Sequence, residues 1–284
     1  MQKSIYAMNP YVLPDGNVSI SFSGGRTSAY LLHEIIQANN GIPERAKVLF
    51  QNTGREMPQT YDFVQKCAEK WNVPITWLEY FYKEKPGVQV VNHNSASRNG
   101  EPFDQLIKHK RILPHALIRF CTVELKIHTS KRYLKSLGWK KWHNAVGIRA
   151  DEPHRLKDKK IDNIITPWRP LVPAKVTKKT IDAFWSQQDF SLQLPVINGK
   201  TMYGNCDGCF LKSEAHQVML LREHPQRYAW WENKEQEYAS RGDYGFFNKE
   251  RPLTNLKNYV SKQSDWVFDQ QGYFCQADDG DCVG

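Results

Sequence analysis

Residues 17–36 carry the pattern that most restricts the fold of this chain. Asn17 to Phe22 alternates and is apolar enough for a buried strand. Ser23-Gly24-Gly25-Arg26-Thr27-Ser28 follows directly, and Tyr30, Leu31, Leu32, Ile35 and Ile36 then recur at helical spacing. A strand that turns through a glycine pair into a helix opens a strand-helix unit, and the following segments repeat it. Lys47 to Gln51 reads as a second strand, Met57-Pro58 opens a second helix with proline in its tolerated first turn, and Ile75 to Tyr80 supplies a third strand. Strands and helices alternating on short loops predict an α/β fold: an open parallel sheet with helices on both faces.

From Phe81 to Leu117 the alternation gives way to a stretch rich in Lys, Asn, Ser, Gly and His, with a short helix around Phe103 to His109. A loop of that length suits a lid or a substrate-binding excursion. Thr122 to Leu137 reads as a basic helix closed by Gly138, Trp142 to Ile148 as a further strand, and Ile161 to Leu171 as a last one. Beyond Pro173 two helical stretches, Lys178 to Gln188 and Ser213 to Arg241, flank a loop with Cys206 and Cys209. The expected division is therefore a nucleotide-binding α/β domain over 1–172 and an appended helical, cysteine-bearing region over 173–284. No apolar run approaches the roughly 18 residues of a membrane span, and the N-terminus lacks the apolar core of a signal peptide. The expectation is a cytoplasmic protein with no membrane association.

Charge is unevenly distributed. Of a net charge of +9, all is accounted for by residues 101–160, with 15 Lys/Arg against 6 Asp/Glu. Clustered positive charge suits nucleotide phosphates or a nucleic-acid backbone, although the lysines from Lys131 to Lys141 also fit a solvated helix face. Six cysteines in a chain read as cytoplasmic point to metal binding or catalysis, because that compartment keeps thiols reduced. Cys67, inside an amphipathic helical stretch, reads as a small buried hydrophobe. Trp168, Trp230 and Trp231 could stack on bases, but the helical pattern around the last two favours the core. His93, His109 and His115 show no ligand spacing.

The loop from Ser23 to Ser28 is the most specific chemical signal. Glycines let the backbone turn tightly and approach phosphate oxygens, while helix N-terminal N–H groups and serine hydroxyls donate to them. No Gly-Lys-Ser/Thr follows, so this is not a Walker A loop. It resembles the SGGxxS pyrophosphate loop of the adenine nucleotide alpha hydrolases (PP-loop enzymes), in particular the phosphoadenosine phosphosulfate (PAPS) reductase family. The resemblance covers about residues 17 to 212. Thr27 stands where many ATP-cleaving members carry Asp.

Three more blocks extend it in the family's order. Phe50-Gln51-Asn52-Thr53-Gly54-Arg55-Glu56 resembles the strand-end segment beside the nucleotide. Arg119-Phe120-Cys121-Thr122-Val123-Glu124-Leu125-Lys126 resembles the cysteine stretch with a following lysine in sulfonucleotide reductases and DNA phosphorothioation enzymes; Phe120 replaces the first of the reductases' two cysteines. Gly147-Ile148-Arg149-Ala150-Asp151-Glu152-Pro153-His154-Arg155 resembles the Gly-Ile-Arg segment whose arginines meet an anionic group, work that the planar guanidinium suits. Arg155 also fits a solvated surface position.

The resemblance implies a Rossmann-like sheet with ATP or a related adenine nucleotide across its carboxyl edge. Ser21, Ser23, Gly24, Gly25, Arg26, Thr27, Ser28, Thr53, Gly54, Arg55, Glu56, Lys126, Gly147, Arg149 and Arg155 would bind it, with Arg149 and Cys282 as catalytic residues. Cys206-Asp207-Gly208-Cys209 alone fits a redox dithiol, a zinc half-site or a cluster half-site. Given the resemblance, the reading is a 4Fe-4S cluster on Cys121, Cys206, Cys209 and Cys275, with zinc as the alternative metal and Cys275 and Cys282 interchangeable as the fourth ligand. The expected activity is cleavage at the nucleotide's alpha phosphate to activate a substrate, followed by sulfur transfer. The alternatives are a sulfonucleotide reductase that releases sulfite and a non-catalytic protein that binds zinc and a nucleotide or nucleic acid. tRNA or DNA is the expected sulfur acceptor, with a separate protein as sulfur or electron donor.

Overall fold

The computed structural model describes residues 9–156 and 163–262. Six strands, β1 (Val18–Ser21), β2 (Ala46–Asn52), β3 (Ile75–Tyr82), β4 (Pro86–Val91), β5 (Trp142–Ala145) and β6 (Ile165–Trp168), form one sheet in the order β4-β3-β2-β1-β5-β6. Every neighbouring pair is parallel except β3 and β4. This is the open α/β sheet the alternation predicts and the Rossmann-like sheet the resemblance implies, with one antiparallel edge. β1 lies centrally: Val18, Ile20 and the following Phe22 have no exposure at all, and the small Ser19 that alternates with them is buried as well, as in a strand covered on both faces. The chain winds from β1 to β2 and β3 on one side, then returns through β5 and β6 on the other. The crevice at the carboxyl ends of β1 and β5 is therefore the switch point at which open α/β sheets bind ligands.

Helices α1 (Arg26–Asn39) and α2 (Pro58–Lys70) follow β1 and β2. Cys67 on α2 is fully buried in the core, and burial pushes its thiol pKa well above the usual range. The long segment after β3 contains the edge strand β4 and then α3 (Glu101–Lys110). The basic helix after Cys121 begins as a π-helical stretch, Thr122–His128, and continues as α4 (Thr129–Ser136). α5 (Lys178–Ser186) packs on α1, with the rings of Tyr30 and Phe184 edge to face at 5.0 Å. The expected helix from Ser213 to Arg241 is two helices, α6 (Glu214–Glu223) and α7 (Pro225–Tyr238), broken where Pro225 follows His224; proline disfavours helical backbone in the residue before it. α8 (Leu253–Lys262) packs on this pair. One apolar cluster runs from Tyr11 through the sheet to Leu253, so the C-terminal helices share the core of the sheet. Among the described residues no helix is long and apolar enough to cross a membrane.

Candidate functional site

The turn after β1 is held by its own serines. Ser28 Oγ accepts from the Ser23 amide at 3.2 Å, donates to the Gly25 carbonyl at 3.0 Å and lies 2.9 Å from Ser23 Oγ. Ser21 Oγ donates across to Asn144 on β5 at 3.0 Å, fixing the mouth of the crevice. Gly24 has φ +79°, and a Cβ there would stand 2.6 Å from Thr60 Cγ2 on α2; the turn thus requires glycine for conformation and packing alike. Gly25 caps α1 from extended backbone, without a side-chain cap and with no acidic residue in the first turn. The first N–H groups of α1 consequently keep their donors and positive field for an anion.

Arg26 and Thr27 fix this turn to its surroundings. Arg26 donates to Ser191 Oγ at 3.2 Å and to the Leu192 carbonyl at 3.1 Å, while its own carbonyl accepts from Trp185 Nε1 at 3.0 Å. Thr27 Oγ1 accepts from Arg149 Nη1 at 3.3 Å. Arg149 is buried, with its Nε 2.9 Å from Asp151 Oδ1 and its amide donating to Glu152 Oε2 at 2.9 Å. Arg155 pairs with the other oxygen of Glu152 at 2.5 Å. Gly147 approaches the first turn of α1 closely, since a Cβ on it would lie 3.4 Å from Ser28 Cα. The first and fourth sequence blocks therefore meet at the switch point, with a fixed guanidinium beside the helix end.

The block after β2 faces the cysteines. Thr53 donates its amide and hydroxyl to the two Glu56 oxygens at 3.1 and 2.8 Å, and Gly54 turns with φ +78°. Glu56 is buried; loss of solvation raises its carboxyl pKa, and Lys126 counteracts part of that rise. Arg55 points to the Cys-x-x-Cys turn, where its Nη2 lies 2.9 Å from Asp207 Oδ2 and its guanidinium covers the Trp230 ring at 4.7 Å. Asp207 is wholly buried and also pairs with Arg227, while its Oδ1 accepts from Trp231 Nε1 at 2.7 Å and from the Gly208 amide at 2.8 Å. Gly208 lies so close under the Trp231 indole that a Cβ would meet it at 2.3 Å. Gln217 on α6 donates to the carbonyls of Gly208 and Cys209 at 3.3 and 2.9 Å.

These contacts bring Cys121, Cys206 and Cys209 to the wall of one cavity, together with Thr53, Arg119, Lys126 and Asn205. The cavity measures about 440 Å³, solvent at its mouth included. Cys206 Sγ is 3.3 Å from Thr53 Oγ1, and burial raises its thiol pKa well above the usual range. Lys126 comes from the π-helical stretch; such i→i+5 turns are rare and recur at functional sites. The three thiols share the cavity without being gathered around one point: among the described residues no group of three His, Cys, Asp or Glu side chains is set to hold a metal ion. In kind the donors fit a thiophilic metal, because soft thiolates select zinc or iron–sulfur clusters. Cys275 and Cys282, the expected fourth ligand and catalytic thiol, lie outside the described residues. Sequence reasoning did not find Asn205, Arg227 or Gln217, and it quoted Asp207 only as part of the Cys-x-x-Cys; Trp231, read as a core residue, is buried at 1% exposure. The polar residues flanking and inside the Cys-x-x-Cys were the only local signal, and their partners lie elsewhere in the chain.

A mostly parallel sheet with a glycine turn, an uncapped helix end and a buried arginine at its switch point is an α/β fold of the PP-loop type. The chain belongs to the phosphoadenosine phosphosulfate reductase domain family, whose model matches residues 17–175. It is 32% identical over 211 residues to the uncharacterized nin region protein ORF290 of Escherichia phage lambda, covering 68% of this chain and 66% of that protein. A second relative, an uncharacterized protein of Methanocaldococcus jannaschii, is 31% identical over 102 residues, 34% of this chain and 24% of its own length. The chain thus spans just under two thirds of the first relative and about a quarter of the second. Among solved structures, the Candida auris phosphoadenylyl-sulfate reductase in its phosphate complex aligns with TM-score 0.41 at 19% identity, over 67% of this chain and 84% of that one. The U34-tRNA thiolase NcsA of Methanococcus maripaludis with its 4Fe-4S cluster aligns with TM-score 0.40 at 12% identity, over 88% and 74% respectively.

Proposed function

We propose that this chain is an enzyme that binds ATP or a related adenine nucleotide at the carboxyl edge of β1, β2 and β5 and cleaves it at the alpha phosphate to activate a substrate. Sulfur transfer then follows, assisted by a 4Fe-4S cluster on Cys121, Cys206, Cys209 and a terminal cysteine, Cys275 or Cys282. The observation that carries this reading is that three cysteines, two of them 85 or more residues from the third, line one cavity whose wall includes Thr53 from the β2 exit. A metal held there would lie beside Thr53 at the exit of β2.

The chain's own residues have distinct parts in it. The first-turn amides of α1 bind a phosphate, and Arg149 holds a fixed positive charge beside it, where charge develops as pyrophosphate leaves. Lys126 supplies a second cation at the cysteine cavity, and the surrounding apolar wall limits water. When bound, the cluster supplies a site for sulfur and for electron exchange. Lys135, Lys140 and Lys141 are exposed and suit the backbone of tRNA or DNA as the sulfur acceptor. The cytoplasm is the fitting compartment for reduced thiols.

Anaerobic purification with iron, acid-labile sulfide and zinc counted per chain tests the proposal. Iron and sulfide with broad absorption near about 400 nm, lost in Cys206→Ser, is the expected result. Zinc in place of iron overturns the cluster, and absence of both metals overturns the metal site. Membership of the reductase family favours a second reading, a sulfonucleotide reductase. Sulfite release from phosphoadenosine phosphosulfate that depends on Cys282 and a thiol donor would select it.

A further inference from the structure

The cavity lined by the three cysteines contains a buried donor without a partner. Asn205 directly precedes the Cys206-Asp207-Gly208-Cys209 turn and is 4% exposed, and among the described residues its side-chain Nδ2 has no hydrogen-bond partner. Burying an amide donor without a partner forfeits its hydration, so native structures rarely keep one without a reason. Asn205 sits in the left-handed region at φ +53°, where asparagine and glycine are the tolerated residues. The turn that follows is fastened by Arg55, Trp231 and Gln217, which holds Asn205 against the cavity. Two further donors on the wall are committed, the Thr53 hydroxyl to Glu56 and the Trp231 indole to Asp207.

We propose that Asn205 Nδ2 donates a hydrogen bond to a sulfur atom of the metal group held by Cys121, Cys206 and Cys209, making it a positioning and tuning residue of that site. The inference rests on the metal reading above. An N–H donor draws electron density from a thiolate or sulfide and stabilises the sulfur-rich, negatively charged site, one of the levers by which proteins set cluster potentials. Asparagine supplies this donor without adding a charge, whereas the carboxylate of aspartate can only accept.

The test uses the full chain titrated anaerobically with Co²⁺, whose thiolate-to-metal charge-transfer bands report electron density on the sulfurs. Asn205→Gly keeps the left-handed backbone and removes the amide; Asn205→Asp keeps the size and removes the donor. Both are expected to bind Co²⁺ with bands moved to lower energy and with the melting temperature of the wild type, a combination that a purely structural role would not produce. Bands of Asn205→Gly that coincide with wild type would overturn the proposal while leaving the metal site intact. Unfolding of both variants would make Asn205 structural and also overturn it. A wild-type chain that shows no charge-transfer bands would remove the metal reading and this inference together.

Discussion

Asp207 fixes the Cys-x-x-Cys turn to the exit of β2. Arg55 belongs to a block expected beside the nucleotide, yet its guanidinium is committed to this carboxylate, which Arg227 also engages. Removing one partner from a buried pair leaves the other uncompensated, at about 3–5 kcal/mol. Asp207→Ala should therefore lower the unfolding free energy by about that amount in urea titrations. Asp207→Asn should lose less, because its carbonyl oxygen still accepts from Trp231 and Gly208. A Asp207→Ala protein within about 1 kcal/mol of wild type, the worth of an exposed pair, would count against the clamp.

At the scale of elements, α8 is docked by a titrating group. Glu235 on α7 accepts from the amides of Phe247 and Leu253 at 3.1 and 2.7 Å, the latter in the first turn of α8. Burial raises its carboxyl to about 7 from 4.5, with the nearby Glu232 adding to the rise. The folded state therefore holds a proton that the unfolded chain releases, so this contribution to stability is fully present below about pH 4.5 and is lost as pH rises through about 7. Melting temperatures from pH 4.5 to 8 should fall more steeply for wild type than for Glu235→Gln; parallel curves would refute the assignment. Sequence patterns made β1, β2, β3 and α1 legible because each is long and periodic enough to show its buried face. They left β4 in a loop, since this edge strand starts with Pro86-Gly87 and exposes Gln89 and Val90; proline is tolerated at sheet edges but weakens the strand signal. The π-helical stretch was equally hidden, because its extra residue per turn leaves composition and spacing those of a basic helix.

For the molecule as a whole, the nucleotide edge was more legible than the cysteine cavity. Residues 23–28 and 147–155 signal their chemistry locally, each at the end of a strand, and the parallel sheet alone brings them together. The cavity depends on pairings such as Arg55 with Asp207, 152 residues apart, for which no periodicity prepares. The proposed nucleotide edge rests on phosphate binding at the first turn of α1, which calorimetric titration of ATP into wild type and Gly25→Val tests most directly. Gly25 has extended backbone at φ −95°, a conformation that valine adopts, whereas Gly24, with φ +79° and Thr60 against its Cβ position, does not tolerate substitution. The account predicts binding by wild type and a loss of about 100-fold or more in Gly25→Val, equivalent to two charge-assisted hydrogen bonds, with unchanged melting temperature. Equal ATP affinity in the two proteins would contradict it.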